Sequence, residues 1–427
     1  PLTTPEAEKG LDDMEPLKAL VGDARLVALG EATHGTREFF QLKHRMLEFL
    51  VEKLGFRAFG IEASFGDCLP LTEYVRTGKG DPKAALANQG FWTWDTEEVL
   101  ALVKWMRSYN EDRTHKEKLS FWGFDMQSPA SSTQALLAYF TKVDKPFVKE
   151  VGPSLEPLDD DFAAQQLRAT PGSVTAELRD AVKKIASRLD AKRSEYETKA
   201  KVRDFQIARI HVRILSDFLL SATGESSARD RSMAEVAAAL LDLEGPGSRM
   251  VLWAHNGHIS ELRNAGLASM GSHLEKRFGA GYFSFGFAFD EGSFQAVDFG
   301  AGRRGLTTFT VPSAPPGSLD HTLARAGVPL FALSLRPASG SSSRPAPKGP
   351  VSDWLSAGSV TRSIGAVYDE RQPDRYLVEE VQQAFDPVAL IAECDVVARL
   401  EVARPLGGVE QTVADALVYV AVQVEPH

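Results

Sequence analysis

Four short stretches carry side chains able to move protons. Gly30-Glu31-Ala32-Thr33-His34-Gly35 sets an acid and a histidine three residues apart between two glycines. Ile61-Glu62-Ala63 and Gly123-Phe124-Asp125 each end an apolar run in an acid, and Trp253-Ala254-His255-Asn256-Gly257-His258 delivers two histidines. A carboxylate that holds one imidazole nitrogen leaves the other free to take a proton, so a Glu/His pair is the minimal general base. One such pair is a weak signal, because most are surface or capping residues. Four at the ends of apolar runs form a pattern.

The elements that must position these groups are short buried strands. Leu26–Leu29 is a four-residue apolar run closed by Gly30, the signature of a parallel strand covered on both faces. Arg57–Glu62, Lys118–Phe124 and Arg249–Ala254 repeat it. Open α/β sheets gather their ligands at the carboxyl ends of such strands, and successive strands tend to be neighbours. Glu31, His34 and Glu62 are therefore expected at one rim. Glu62 has a second reading, an acid satisfied by nearby backbone N–H groups. His258 is expected near a helix start, where the dipole disfavours imidazolium, after an Asn-Gly tight turn.

Between the first two strands, apolar residues at helical spacing predict a helix from Phe39 to Leu54, with Thr36 as N-cap and Gly55 as its C′ glycine. Its Lys43-His44-Arg45 triplet reads as a solvated face. Phe91-Trp92-Thr93-Trp94 precedes a helix capped by Asp95 and is equally a core element or the wall of an apolar pocket. Residues 131–245 show helical periodicity and no strand, with long helices over Val174–Tyr196, Lys201–Leu220 and Arg229–Leu243. His211 there reads as a packing residue. The block is expected to insert between residues 1–130 and 246–427 of one α/β core and to cover the strand ends as a lid. Arg229, at its last helix start, is a candidate to reach a substrate oxygen. Tyr282–Asp290 and Phe294–Asp298 predict a hairpin turning at Glu291-Gly292, Pro329–Leu335 another strand, and Ser339–Pro350 a surface loop.

Composition narrows the class. The chain has 427 residues, 43% hydrophobic and 25% charged, enough for a large core. A net charge of −10 with no basic stripe argues against nucleic acid. No apolar run reaches the roughly 20 residues of a membrane span, and no signal-like segment opens the chain. A cytoplasmic location is expected, with an exported form stripped of its leader as the alternative. Cys68 and Cys394 are too few for a disulfide scaffold or structural zinc cluster and read as buried thiols.

Taken together, Gly30–Gly35, Leu42-Lys43-His44-Arg45, Ile61-Glu62-Ala63 and Ala254–His258 resemble the erythromycin esterase family, which includes proteins labelled as succinoglycan biosynthesis proteins. Further similarity lies in Phe91–Trp94, Gly123–Asp125, Arg229-Asp230-Arg231 and Gly365-Ala366-Val367-Tyr368, so the resemblance spans about residues 25–395. It implies a mainly parallel α/β sheet with helical additions and hydrolysis of a macrolide lactone without a serine nucleophile. It also implies His34 as general base, supported by Glu31, Glu62, His255 and His258, and it lends weight to Arg45. The residues fit: no Gly-x-Ser-x-Gly elbow occurs, and ester hydrolysis needs activated water, an oxyanion donor and a proton donor. On this scheme Glu31 orients His34 and Glu62 positions water or a histidine tautomer. His255 or Arg45 steadies the oxyanion, and His258 donates the proton. Trp92, Trp94, Asp125 and Arg229 are candidates to bind a small-molecule ester such as a macrolide. No cofactor is expected. The rivals are a divalent metal held by the acids and histidines of the rim, and a lyase, cyclase or acyl-transfer reaction on a natural product or polysaccharide using the same base.

Overall fold

The computed structural model describes residues 1–170, 172–261, 263–264, 267–300, 305–334, 359–380 and 387–394. Its centre is a mainly parallel sheet. The strands are β1 (Leu26–Leu29), β2 (Ala58–Ser64), β3 (Ser120–Asp125), β4 (Met250–Trp253), β5 (Tyr282–Asp298), β6 (Gly305–Val311), β7 (Leu330–Ser334) and β8 (Pro387–Cys394). They lie in the order β3-β2-β4-β1-β5-β8-β7, parallel except for the last, with β6 antiparallel to the far half of β5. β1 and β4 therefore sit side by side at the centre, in the register Leu29↔Trp253, and their outgoing turns emerge together.

Every residue of β1 to β4 is buried, and their alternation serves two cores. Leu26, Ala28, Ala58, Met250 and Leu252 face one; Val27, Leu29, Phe59, Ile61, Val251 and Trp253 face the other. A continuous apolar run is what such a strand requires, since each fully buried Leu or Val contributes about 1.5–3 kcal/mol. The second core is closed by α1 (Arg37–Leu54) and α2 (Glu97–Glu111). Gly55 ends α1 in the left-handed region at φ 73°, as its position after the apolar stripe predicts. Thr36 is the N-cap residue, but its hydroxyl meets that of Thr33 at 2.6 Å and does not cap the helix. Thr96, one residue beyond Asp95, caps α2.

The described residues between β3 and β4 form helices, the last two being α3 (Val202–Ala222) and α4 (Ala228–Glu244). This block makes the first core. α4 begins at the carboxyl ends of β2 and β3, and its last residue, Glu244, accepts from Ser120 and Trp122 at the opposite end of β3. The block meets the chain just past the strand ends at the start of α4, at Ser131 on Asp67 and at Arg168 on Met126. Its bulk is a layer on the sheet face, because its apolar stripes match the even side of the strands. His211, on α3, packs on Phe65 inside this layer.

Tyr282–Asp298 is one continuous strand and not the expected hairpin. Glu291 and Gly292 keep their pairing to Glu393 and Cys394, and Gly292, at φ 132°, lets the strand bend toward β6. The chain reverses beyond Asp298 to return as β6. Ser339–Pro350 lies outside the described residues, as does Leu335, and only the backbone of Cys394 is described. Cys68 is a buried free thiol. Among the described residues no helix is long and apolar enough to cross a membrane.

Candidate functional site

The β1 turn depends on two close approaches. A Cβ on Gly30 would fall 2.1 Å from Oδ1 of Asn256, and one on Gly35 would fall 2.1 Å from the carbonyl oxygen of Gln295. Asn256 uses the space Gly30 leaves. Its amide pairs both ways with the backbone of Phe287, at 2.7 and 3.0 Å, and its N–H donates to the Glu31 carbonyl at 2.9 Å. Asn256-Gly257 is accordingly the start of a four-residue helix and not a tight turn. The Asn256 side chain binds the β1 and β4 turns to β5.

Glu31 is fully buried and each of its oxygens is engaged. Oε1 meets Nδ1 of His34 at 2.5 Å, while Oε2 accepts from Trp253 Nε1 at 2.8 Å and from Lys43 Nζ. Burial alone would raise its carboxyl; the Lys43 ammonium and the His34 ring hold it below the usual range. Lys43, also fully buried, sits 4.3 Å over the Trp253 ring and is pushed down to about 8 by burial, with Glu31 opposing. The Nδ1 hydrogen bond leaves His34 to work through Nε2. Trp94 meets the His34 ring edge-on at 5.8 Å, and its indole N–H donates to the Glu62 carbonyl at 3.0 Å. Trp94 is thus a wall of the site as well as core; Trp92 is half-buried on the same turn.

A second network backs the first. Glu62 Oε2 accepts from the His255 backbone N–H at 2.8 Å, and Oε1 meets Arg229 Nη2 at 2.6 Å and His258 Nε2 at 3.3 Å. The backbone N–H reading of Glu62 holds for one oxygen, while the other faces the side chains of the cluster. Its carboxyl is lowered, since His258, Arg229 and His34 overcome the opposing effect of burial. Arg229 also grips Asp125 with two nitrogens, at 2.8 and 3.2 Å, and reaches His258 Nε2 at 3.0 Å. Arg229 and Asp125 are therefore buttresses of Glu62, so their charges are already spent on one another.

His258 corrects the helix-dipole expectation. Burial would lower its pKa, but Asp230, 2.8 Å from Nδ1, and Glu62 outweigh burial and the nearby Arg229 and raise it above the ordinary histidine range. His255 is the neutral one: burial and the nearby His34 push it to about 3. Its ring lies 5.2 Å from that of His34. The loop before the short strand Val367–Tyr368 closes this side: Ile364 N–H donates to the Ala32 carbonyl at 2.7 Å, and His34 N–H approaches the Gly365 carbonyl at 3.5 Å.

Arg45 does not join the cluster. Its guanidinium donates to the carbonyls of Thr4 and Gly10 and to the Asp13 carboxylate at 2.5–3.1 Å, pinning the N-terminal segment to α1. Nor is the triplet solvated, for Lys43, His44 and Arg45 are all buried. Lys43 is the residue of the three that reaches the site. It stands in the apolar stripe, three after Phe40 and four before Leu47, where a surface lysine has no place. Sequence reasoning also misses Asp230, Trp253 and the Gly365 loop as parts of the site. Four carboxylates, Glu31, Glu62, Asp125 and Asp230, meet two fixed cations, Lys43 and Arg229. Among the described residues no three His, Cys, Asp or Glu side chains form a group that could hold a metal ion.

The family model for erythromycin esterase matches residues 51–394, beginning after the Glu31–His34 turn and taking in Glu62, Asp125, Arg229, His255 and His258. Erythromycin esterase type II of Escherichia coli is 27% identical over 350 residues, 74% of this chain and 82% of that protein. A solved structure described as a succinoglycan biosynthesis protein is 25% identical, with TM-score 0.78 over 93% of this chain and 95% of its own. The solved open conformation of a mutant of erythromycin esterase EreC, 19% identical, shares the fold at TM-score 0.67, covering 90% of this chain and 95% of that one. The chain belongs to the erythromycin esterase family.

Proposed function

We propose that this protein opens a macrolactone or similar ester with a water activated by His34. One observation carries the reading: the buried Glu31 carboxylate holds His34 Nδ1 at 2.5 Å while Lys43 and Trp253 fix its other oxygen. The imidazole is thereby set in one tautomer, with Nδ1–H toward Glu31 and the Nε2 lone pair toward the substrate. A water between His34 and the ester carbonyl gives its proton to Nε2 as its oxygen bonds to carbon. The imidazolium so formed is balanced by Glu31.

The oxygen of the tetrahedral intermediate needs a donor, and His255, kept neutral, offers a ring N–H. Collapse breaks the bond to the ring oxygen, and His258, held charged by Asp230 and Glu62, is the proposed source of the alkoxide's proton. Trp94 supplies apolar surface beside the base. Arg45 is left out of this scheme because its donors are occupied elsewhere.

The test is hydrolysis of a panel of macrolides followed by mass spectrometry, with and without chelator. Ring opening with gain of one water, indifferent to chelator, supports the reading. Activity abolished by chelator and restored by a divalent metal would replace it with a metal-dependent hydrolase. Products formed by loss of water or by transfer of an acyl group would replace it with a lyase, cyclase or transferase.

A further inference from the structure

His255 has more hydrogen-bond contacts than a neutral imidazole can satisfy. Its Nδ1 faces the Gly257 N–H at 3.1 Å, the N-terminal cap of its own short helix, and its Nε2 faces the Gly365 N–H at 3.4 Å. A neutral ring has one acceptor nitrogen and one N–H. The shorter, local contact uses Nδ1 as acceptor, which puts the proton on Nε2. Two N–H groups, of Gly365 and of His255, then point toward one another, and neither can accept. Among the described residues the Gly365 amide meets no other acceptor. Both residues are half-buried, and an oxygen seated beside the pair, within reach of both N–H groups, can accept from each.

Resting on the esterase reading above, we propose that the Gly365 main-chain N–H is a catalytic oxyanion donor, acting together with His255 Nε2–H on the carbonyl oxygen of the bound ester. Its place supports this: a Cβ on Gly365 would lie 4.0 Å from Cδ2 of His34, so the amide adjoins the ring of the proposed base. The loop is fixed on both sides of the glycine, through Ile364 N–H on the Ala32 carbonyl at 2.7 Å and Val297 N–H on the Ala366 carbonyl at 2.9 Å. Gly365 itself has φ 29°, in the left-handed region that favours glycine. A donor held in place before the charge develops is the arrangement that stabilises a transition state more than a ground state.

The experiment replaces Gly365 by glycolic acid, which turns the amide N–H into an ester oxygen and leaves the side-chain set intact. With 4-nitrophenyl butyrate and the macrolide panel as substrates, kcat is expected to fall by about 10²–10³-fold, the usual effect of losing one oxyanion donor. KM should stay within about twofold, and binding of butyl methylphosphonate, a stable tetrahedral anion, should weaken by a similar factor. In intact protein, the Gly365 amide proton, assigned by the loss of its NMR signal in Gly365→Ala, should move downfield when the phosphonate binds. Unchanged kcat and phosphonate affinity, with an unmoved amide signal, would overturn the inference while leaving the esterase reading in place. Phosphonate binding that depends on the amide, in a protein that hydrolyses no ester, would uphold the anion slot and overturn the reaction.

Discussion

His211 makes an isolated test of the electrostatics of this interior. Its ring is buried against Phe65 at 4.9 Å, Nδ1 has no hydrogen-bond partner among the described residues, and burial alone pushes its pKa to about 3. The unfolded chain takes up a proton near the ordinary value of about 6.5, and the folded chain does not until near 3. Between those values the unfolded state binds more protons, so stability falls as pH falls. At pH 5 the linkage relation gives about 2 kcal/mol lost through this one residue. His44 and His255 are depressed to the same value, also chiefly by burial, so the three together approach about 6 kcal/mol, comparable with the whole stability of many domains. Glu48 and Asp67, raised to about 7 by burial, act in the opposite sense over the same window and offset part of that loss. The clean measurement is therefore a difference. His211→Phe keeps an aromatic ring on Phe65 and removes the titration. Urea unfolding at pH 7.5 and pH 5 should show wild type losing about 2 kcal/mol more than the variant between the two. Equal losses in both proteins would refute the account of His211 as a buried neutral imidazole.

Three substitutions separate the site from its supports. Lys43→Met leaves Glu31 buried without its cation and should cost about 3–5 kcal/mol by thermal melting, with turnover lowered as well; unchanged stability and rate would mean Lys43 is incidental. Arg45→Met frees the N-terminal segment and exposes an unpaired Asp13, so it should lower stability by about 3 kcal/mol while kcat per folded molecule stays the same. A selective loss of kcat there would return Arg45 to the site. Asp230→Asn removes the largest influence holding His258 protonated, so the basic limb of the kcat–pH profile should move to lower pH and the rate above neutrality drop about tenfold or more. An unmoved limb would rule out His258 as the proton donor.

The sheet is legible in the sequence because β1 to β4 are buried on both faces and so read as unbroken apolar runs. The residues just past such a run sit at the rim, which is why Glu31, His34, Glu62, Asp125, His255 and His258 can be gathered from sequence alone. Partner choice is not legible. Lys43, His44 and Arg45 are consecutive basic residues, and which of them crosses the core to Glu31 depends on helix phase; the stripe Phe40, Lys43, Leu47 holds that answer. The upward shift of His258 departs from expectation because local sequence shows the helix start but not Asp230, 28 positions earlier, folding back onto Nδ1. The hairpin at Glu291-Gly292 fails because a glycine that bends a strand and a glycine that turns a chain look alike until the pairing of β8 is known.

His34 is the proposed activator of water for ester hydrolysis. The most direct measurement is the single-turnover rate of macrolactone opening by wild type and by His34→Gln, with melting curves to show both proteins folded. Loss of a general base predicts a fall of about 10²–10⁴-fold with little change in substrate affinity. A folded His34→Gln protein that opens the ring at the wild-type rate would contradict it.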